Sequence, residues 1–157
     1  MNRPSWDDSL MKMTAVVAER STCKKHYVGA IIAHGKRIIA IGSNEAPKGT
    51  KDCLELRCLR NELKIPSGTK HEICRAVHAE QNAIIQGAYH GISVKGATMY
   101  CTLPPCNICA KMIVNAGINI FVTYGNYPDK EAMKTLKEGG VTFLQTTKPN
   151  NYIEFKD

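Results

Sequence analysis

Two short strings, His78-Ala79-Glu80 and Pro105-Cys106 with Cys109 three residues later, constrain this chain more than anything else in it. They supply an imidazole, two thiolates and a carboxylate that need not be a ligand. A catalytic zinc wants that set: three protein ligands, one position open for water, and an acid/base close by. Any fold this chain adopts has to bring the two strings together at one point.

Local chemistry supports the reading. Cys106 and Cys109 are three apart, so at the start of a helix both sulfurs lie on one face. The partial positive charge of a helix N-terminus favours thiolates, and Pro105 suits a helix entrance, where its missing N–H costs little. Glu80 stands two residues after His78, and such a pair does not share a helix face. His78 is therefore expected at a helix entrance, reaching the metal from one side while Glu80 reaches the water from another. A C-x-x-C by itself fits half a structural zinc site or a redox pair equally well, and a lone His-x-Glu carries little. Their combination, each at a predicted helix start, carries the catalytic reading.

Composition sets the outer limits. The 157 residues suit one domain, 1–157, with 43% hydrophobic and 22% charged residues. No apolar stretch is long enough to span a bilayer, and Met1 to Asp8 lacks the basic start and apolar core of a signal peptide. The expectation is a cytoplasmic protein without a membrane partner. Seven cysteines, an odd number, argue against a disulfide framework and for metal binding where the spacing suits it. The net charge of +7 favours anionic partners. No Lys/Arg run marks a nucleic-acid arm, and no nucleic acid is expected.

The periodicity predicts a helix from Ser5 to about Arg20, a hairpin of strands Val28–Ala33 and Arg37–Ile41, and a helix from Ala79 that Gly91 follows. A strand at Ala97–Thr102, a helix at Cys106–Ala116 and a strand at Ile118–Tyr124 come next. A helix at Asp129–Glu138 and a strand at Val141–Gln145 complete the order. That order predicts an α/β fold: three layers, helix–sheet–helix, around a mixed five-stranded sheet. Residues 44–74 stand apart as an irregular insertion with one possible short helix at Leu54–Leu63, the kind of excursion that is functional or stapled.

Residues 28 to 125 resemble the cytidine-deaminase-like superfamily, and within it the deoxycytidylate (dCMP) deaminase branch. The resemblance rests on Val28-Gly29-Ala30, Gly42-Ser43-Asn44, the run from His78 to Ile84, and the run from Thr102 to Lys111. Arg20-Ser21-Thr22-Cys23 extends it toward the N-terminus. The H-x-E and P-C-x-x-C strings are the signature of zinc nucleobase deaminases, while Asn82-Ala83-Ile84 and Cys109-Ala110-Lys111 favour the dCMP branch. Where the family usually writes Gly-Tyr-Asn-Gly-x-Pro, this chain has Gly42-Ser43-Asn44-Glu45-Ala46-Pro47, a charged side chain in place of a glycine.

The resemblance implies zinc-dependent hydrolytic deamination of dCMP to dUMP, with release of ammonia, supplying thymidylate synthesis. His78, Cys106 and Cys109 would hold the zinc and Glu80 would move the protons. Asn44 would hold the sugar hydroxyl and the Ala79 backbone would orient the base. Tyr127 and Tyr124 are candidates either to stack on the base or to serve in the core or an interface. Lys24 and Lys25 would meet the phosphate. It also implies dCTP and dTTP as effectors and a homo-oligomer, often a hexamer. Some relatives carry a second, structural zinc; here Cys23, Cys53 and His71 match best, with Cys74 as fourth ligand and Cys58 as its alternate. Cys101, within a strand, reads as core. The alternatives are a related zinc deaminase acting on a free cytidine-type nucleoside, guanine or tRNA adenosine, and a non-catalytic zinc-stapled interaction module.

Overall fold

The sequence of β-strands explains most of the architecture. The computed structural model describes residues 3–126 and 128–149. Strands β1 (Gly29–His34) and β2 (Arg37–Ser43) form the expected hairpin, turned at Gly35 with φ of 56°. Strand β3 (Thr98–Cys101) pairs antiparallel with β1, while β4 (Ile120–Thr123) and β5 (Thr142–Gln145) add on in parallel. The five-stranded sheet runs β2-β1-β3-β4-β5. Parallel neighbours need crossover connections, and α4 (Asn107–Asn115) and α5 (Lys130–Glu138) provide them.

Alternation along the strands sends side chains to two cores. Ala30, Ile32, Met99, Cys101 and Phe121 face a cluster built with α3 (Ala79–Tyr89), α4 and α5. Ile31, Ala33, Tyr100 and Val122 face Leu10 and Met11 of α1 (Trp6–Ala18) on the other side. Helices on both faces of a mixed sheet are the three layers the sequence pattern predicts. Helix α1 starts where expected, at Ser5, whose hydroxyl accepts from the Asp8 amide at 3.0 Å in a capping box.

Two contacts set α3 against the sheet. Gly42 lies so near the first turns of α3 that an added Cβ would meet Asn82 Cβ at 2.9 Å, and the Ala79 carbonyl and Ala83 amide more closely still. The chain just past β2 also pairs with the chain just before α3, through the antiparallel bridge Glu45–Val77. The Glu45 carboxylate accepts a hydrogen bond from the Ser43 hydroxyl, so the loop accommodates the charged side chain that replaces the usual glycine.

The excursion differs in detail from its sequence reading. The helix expected at Leu54–Leu63 shrinks to one turn, α2 (Leu59–Glu62). Asp52 turns the preceding chain by accepting from the Leu54 and Glu55 amides, at 2.7 and 3.1 Å. Leu54, Leu59 and Leu63 all stay exposed. No apolar stripe is buried, so packing does not support a longer helix. A 3-10 turn at His71–Ile73, unmarked by periodicity, leads back toward α3.

Candidate metal centre and its cavity

Helices α3 and α4 begin with the two diagnostic strings. His78 is the N-cap of α3, held in extended conformation, with its amide donating to Gln81 Oε1 at 2.8 Å. Cys106 is the N-cap of α4, and Cys109 sits buried in the first turn. The ligand atoms of His78, Cys106 and Cys109 all lie within 4.8 Å of one another, the only such group among the described residues.

The spacing fits zinc. His78 Nδ1 lies 3.5 Å from Cys106 Sγ and 3.4 Å from Cys109 Sγ. Zinc–sulfur and zinc–nitrogen bonds of roughly 2.3 and 2.0–2.1 Å, set at a tetrahedral angle, separate the two atoms by about 3.5 Å. The trio thus forms one face of a tetrahedron, with Nδ1 as the imidazole ligand. Its donor set, one borderline nitrogen and two thiolates, is one that zinc accepts.

Electrostatics agree. The Cys106 thiol is pushed down to about 4, chiefly by a hydrogen bond from Cys109, with help from His78. Cys109 moves the opposite way, because its thiol proton serves that bond and its site is buried. His78 is raised, first by its bond to Cys106. Glu80 has only 4% of its surface exposed, and burial pushes its carboxyl up to about 7 against the pull of the His78 charge. A carboxyl poised near neutrality can both take and give a proton.

His78, Glu80 and Cys106 open into a cavity of about 450 Å³, within the range of small-molecule sites. Ala79 and Asn44 line it, as expected. The Asn44 side chain also fastens the neighbouring loop. Its Oδ1 accepts from the Val28 amide at 2.9 Å, and its Nδ2 donates to the His26 carbonyl at 2.8 Å. Ser21, part of the Arg20–Cys23 string but given no role by it, secures the same loop by donating to the His26 and Asn44 carbonyls. Lys25 lines the cavity, whereas Lys24 is exposed outside the wall. Tyr124 packs against the α1-side core rather than over the metal trio. Tyr127 lies outside the described residues. Cys101 is fully buried in the core, as expected.

The second cysteine group also gathers at this cavity. Cys23, Cys53, Cys58, His71 and Cys74 all contribute to its wall. Burial raises the Cys53 thiol, and the nearby thiols of Cys58, Cys23 and Cys74 raise it further, in that order. His71 instead meets His78 edge to face, with ring centroids 5.3 Å apart.

A family profile described as "Cytidine and deoxycytidylate deaminase zinc-binding region" matches residues 4–124. The chain belongs to that family. It is 34% identical to the deoxycytidylate deaminase of Schizosaccharomyces pombe over 152 residues, 96% of this chain and 47% of that protein. It is 33% identical to the ComE operon protein 2 of Bacillus subtilis over 158 residues, covering 79% of that protein. The chain spans about half the length of the yeast deoxycytidylate deaminases it matches. Among solved structures, dCMP deaminase from the cyanophage S-TIM5 in complex with dCMP and dUMP superposes with a TM-score of 0.75 at 28% identity. The match covers 93% of this chain and 100% of that one. In keeping with that membership, the chain has a His/Cys/Cys group with spacing that suits zinc and a mixed five-stranded sheet.

Proposed function

We propose that the chain deaminates dCMP to dUMP and ammonia. The observation that carries this reading is the buried Glu80 beside the His78–Cys106–Cys109 trio, in a cavity wide enough for a nucleotide. A purely structural zinc site has no use for that carboxylate. Zinc held by the trio supplies Lewis-acid activation of water. Glu80 would take a proton from that water and place it on the ring nitrogen of cytosine as the water oxygen bonds to C4, then carry the remaining hydroxyl proton to the amine as the C4–N bond breaks and ammonia leaves. The backbone at Ala79, buried in the first turn of α3, orients the base.

In the same reading the unused lone pair and N–H of the Asn44 amide meet the sugar hydroxyl. Lys25 and Lys24 add positive charge for the phosphate. A second zinc on Cys23, Cys53 and His71, completed by Cys74 or by Cys58, belongs to the same reading. It staples the excursion, which has little apolar packing of its own. A homo-oligomer with dCTP and dTTP as effectors belongs to the same reading.

Support comes from the similarity to deoxycytidylate deaminases and from the net charge of +7. Incubating the purified protein with dCMP, deoxycytidine and dCTP, and following ammonia, tests it. Turnover is expected with dCMP foremost. Preference for the free nucleoside, or no turnover on any cytosine compound, would sink the reading.

A further inference from the structure

The excursion delivers one more charged side chain to the cavity. Arg60, in α2, is half-buried and lines the same wall as His78 and Glu80. Its guanidinium is held through its own edges: Nη2 donates to the Pro66 carbonyl at 2.9 Å, and Nη1 lies 3.5 Å from the Lys70 carbonyl. Those two bonds use two of the five N–H donors of a guanidinium.

The charge balance of the wall asks for an anion. Among the described residues, Arg60 and Lys25 are its permanent cations, and Glu80 is its one carboxylate. Glu80 is buried beside the metal ligands and committed to proton transfer. Backbone carbonyls orient Arg60 without neutralising it. A phosphate suits such a group, because the planar fork of arginine meets two phosphate oxygens at once where lysine offers a point charge.

We propose that Arg60 is the specificity-determining contact for the substrate's phosphate, so that the site takes a nucleoside monophosphate in preference to the nucleoside. This inference rests on the cytosine-nucleotide reading above and supplies its phosphate clamp. It also gives the excursion a role in binding. Cys58 stands at the start of the single turn that carries Arg60, so whatever orders the cysteine cluster also places the guanidinium.

The test compares wild type with Arg60→Gln and Arg60→Lys on dCMP and deoxycytidine. The ratio of kcat/KM for dCMP to that for deoxycytidine is expected to fall about 10- to 100-fold in Arg60→Gln, the usual effect of losing a charge-assisted hydrogen bond. The loss should appear mainly in KM, and Arg60→Lys should recover part of it. Zinc content and Tm are measured on the same samples, since Arg60 also holds two loop carbonyls. Equal losses on both substrates, or an unchanged ratio in the zinc-replete protein, overturn the proposal. A second arm needs no turnover: inorganic phosphate should raise the Tm of wild type but not of Arg60→Gln. Equal shifts in the two proteins overturn the anion site. A shift confined to wild type, in a protein that leaves dCMP untouched, refutes the dCMP reading and leaves the anion site standing.

Discussion

Replacing Gly42 with alanine should damage catalysis out of proportion to the single methyl added. Gly42 has an ordinary strand conformation, so no backbone strain is involved; the difficulty is space. The new Cβ would stand 2.9 Å from Asn82 Cβ and would press harder on the backbone of Ala79 and Ala83. Carbon atoms rest at roughly 3.5–4.0 Å, so α3 has to move off the sheet by roughly 0.6–1 Å. Overpacking of that kind costs about 1–3 kcal/mol, or a fall in Tm of roughly 2–12 °C for a domain of this size. The helix that moves carries His78 at its cap and Glu80 in its first turn. A misplacement near 1 Å at a reacting centre costs about 10²-fold, which is the expected loss in kcat/KM. Gly35→Ala is the control. Gly35 has φ of 56° with open space around it, so alanine there costs about 1–2 kcal/mol of backbone strain at a turn remote from the metal trio. Calorimetry, zinc analysis and steady-state kinetics on both variants separate the two effects. Equal Tm losses with equal activity would refute the argument that the β2–α3 contact sets the position of the catalytic groups. So would a fully active Gly42→Ala with wild-type Tm.

Other outcomes follow from the same geometry. Glu80→Gln should keep the catalytic zinc while losing at least 10²–10⁴-fold in kcat; normal turnover would remove Glu80 from proton transfer. Chelation should abolish activity, and added zinc should restore it. Metal analysis should return about two zinc per chain if the cysteine cluster binds, and one per chain with unaltered stability in Cys53→Ser would eliminate that second site. Tyr100 gives a pH signature on the α1 side of the sheet. Its hydroxyl donates to Asp7 at 2.6 Å, and burial first, then that bond, raise its pKa above the ordinary 10.0. A raised acid stabilises the fold below its unfolded pKa and loses that contribution as pH climbs beyond it. Wild-type Tm should therefore drop more steeply above pH 10 than that of Tyr100→Phe, whose Tm at pH 7 should be lower by the worth of one hydrogen bond, about 1 kcal/mol. Parallel curves would show that the hydroxyl does not titrate with unfolding.

How much of this molecule the sequence determined follows from the range of each interaction. Helix and strand positions were legible because periodicity and caps are local: Ser5, Gly91 and Gly117 mark element ends within one turn. The layers followed, since alternating strands and helices leave few ways to bury both sheet faces. The metal ligands were legible because zinc demands particular atoms and both strings begin helices. The short α2 was not, because leucine spacing alone cannot say whether a face will find a partner, and this one stays in solvent. Three further matters waited for tertiary structure. Asn44 was expected to meet substrate, but its role in fastening the Val28 loop depends on backbone groups that no motif names. Cys58, Cys23 and Cys74 lie near enough to Cys53 to raise its thiol while His71 meets His78 edge to face, an arrangement of five side chains that spacing left open. Arg60, one of many basic residues in a basic chain, became distinct only when the excursion folded over the cavity. Local rules name the atoms that chemistry requires; which charges share a wall is decided by contacts between residues far apart in sequence.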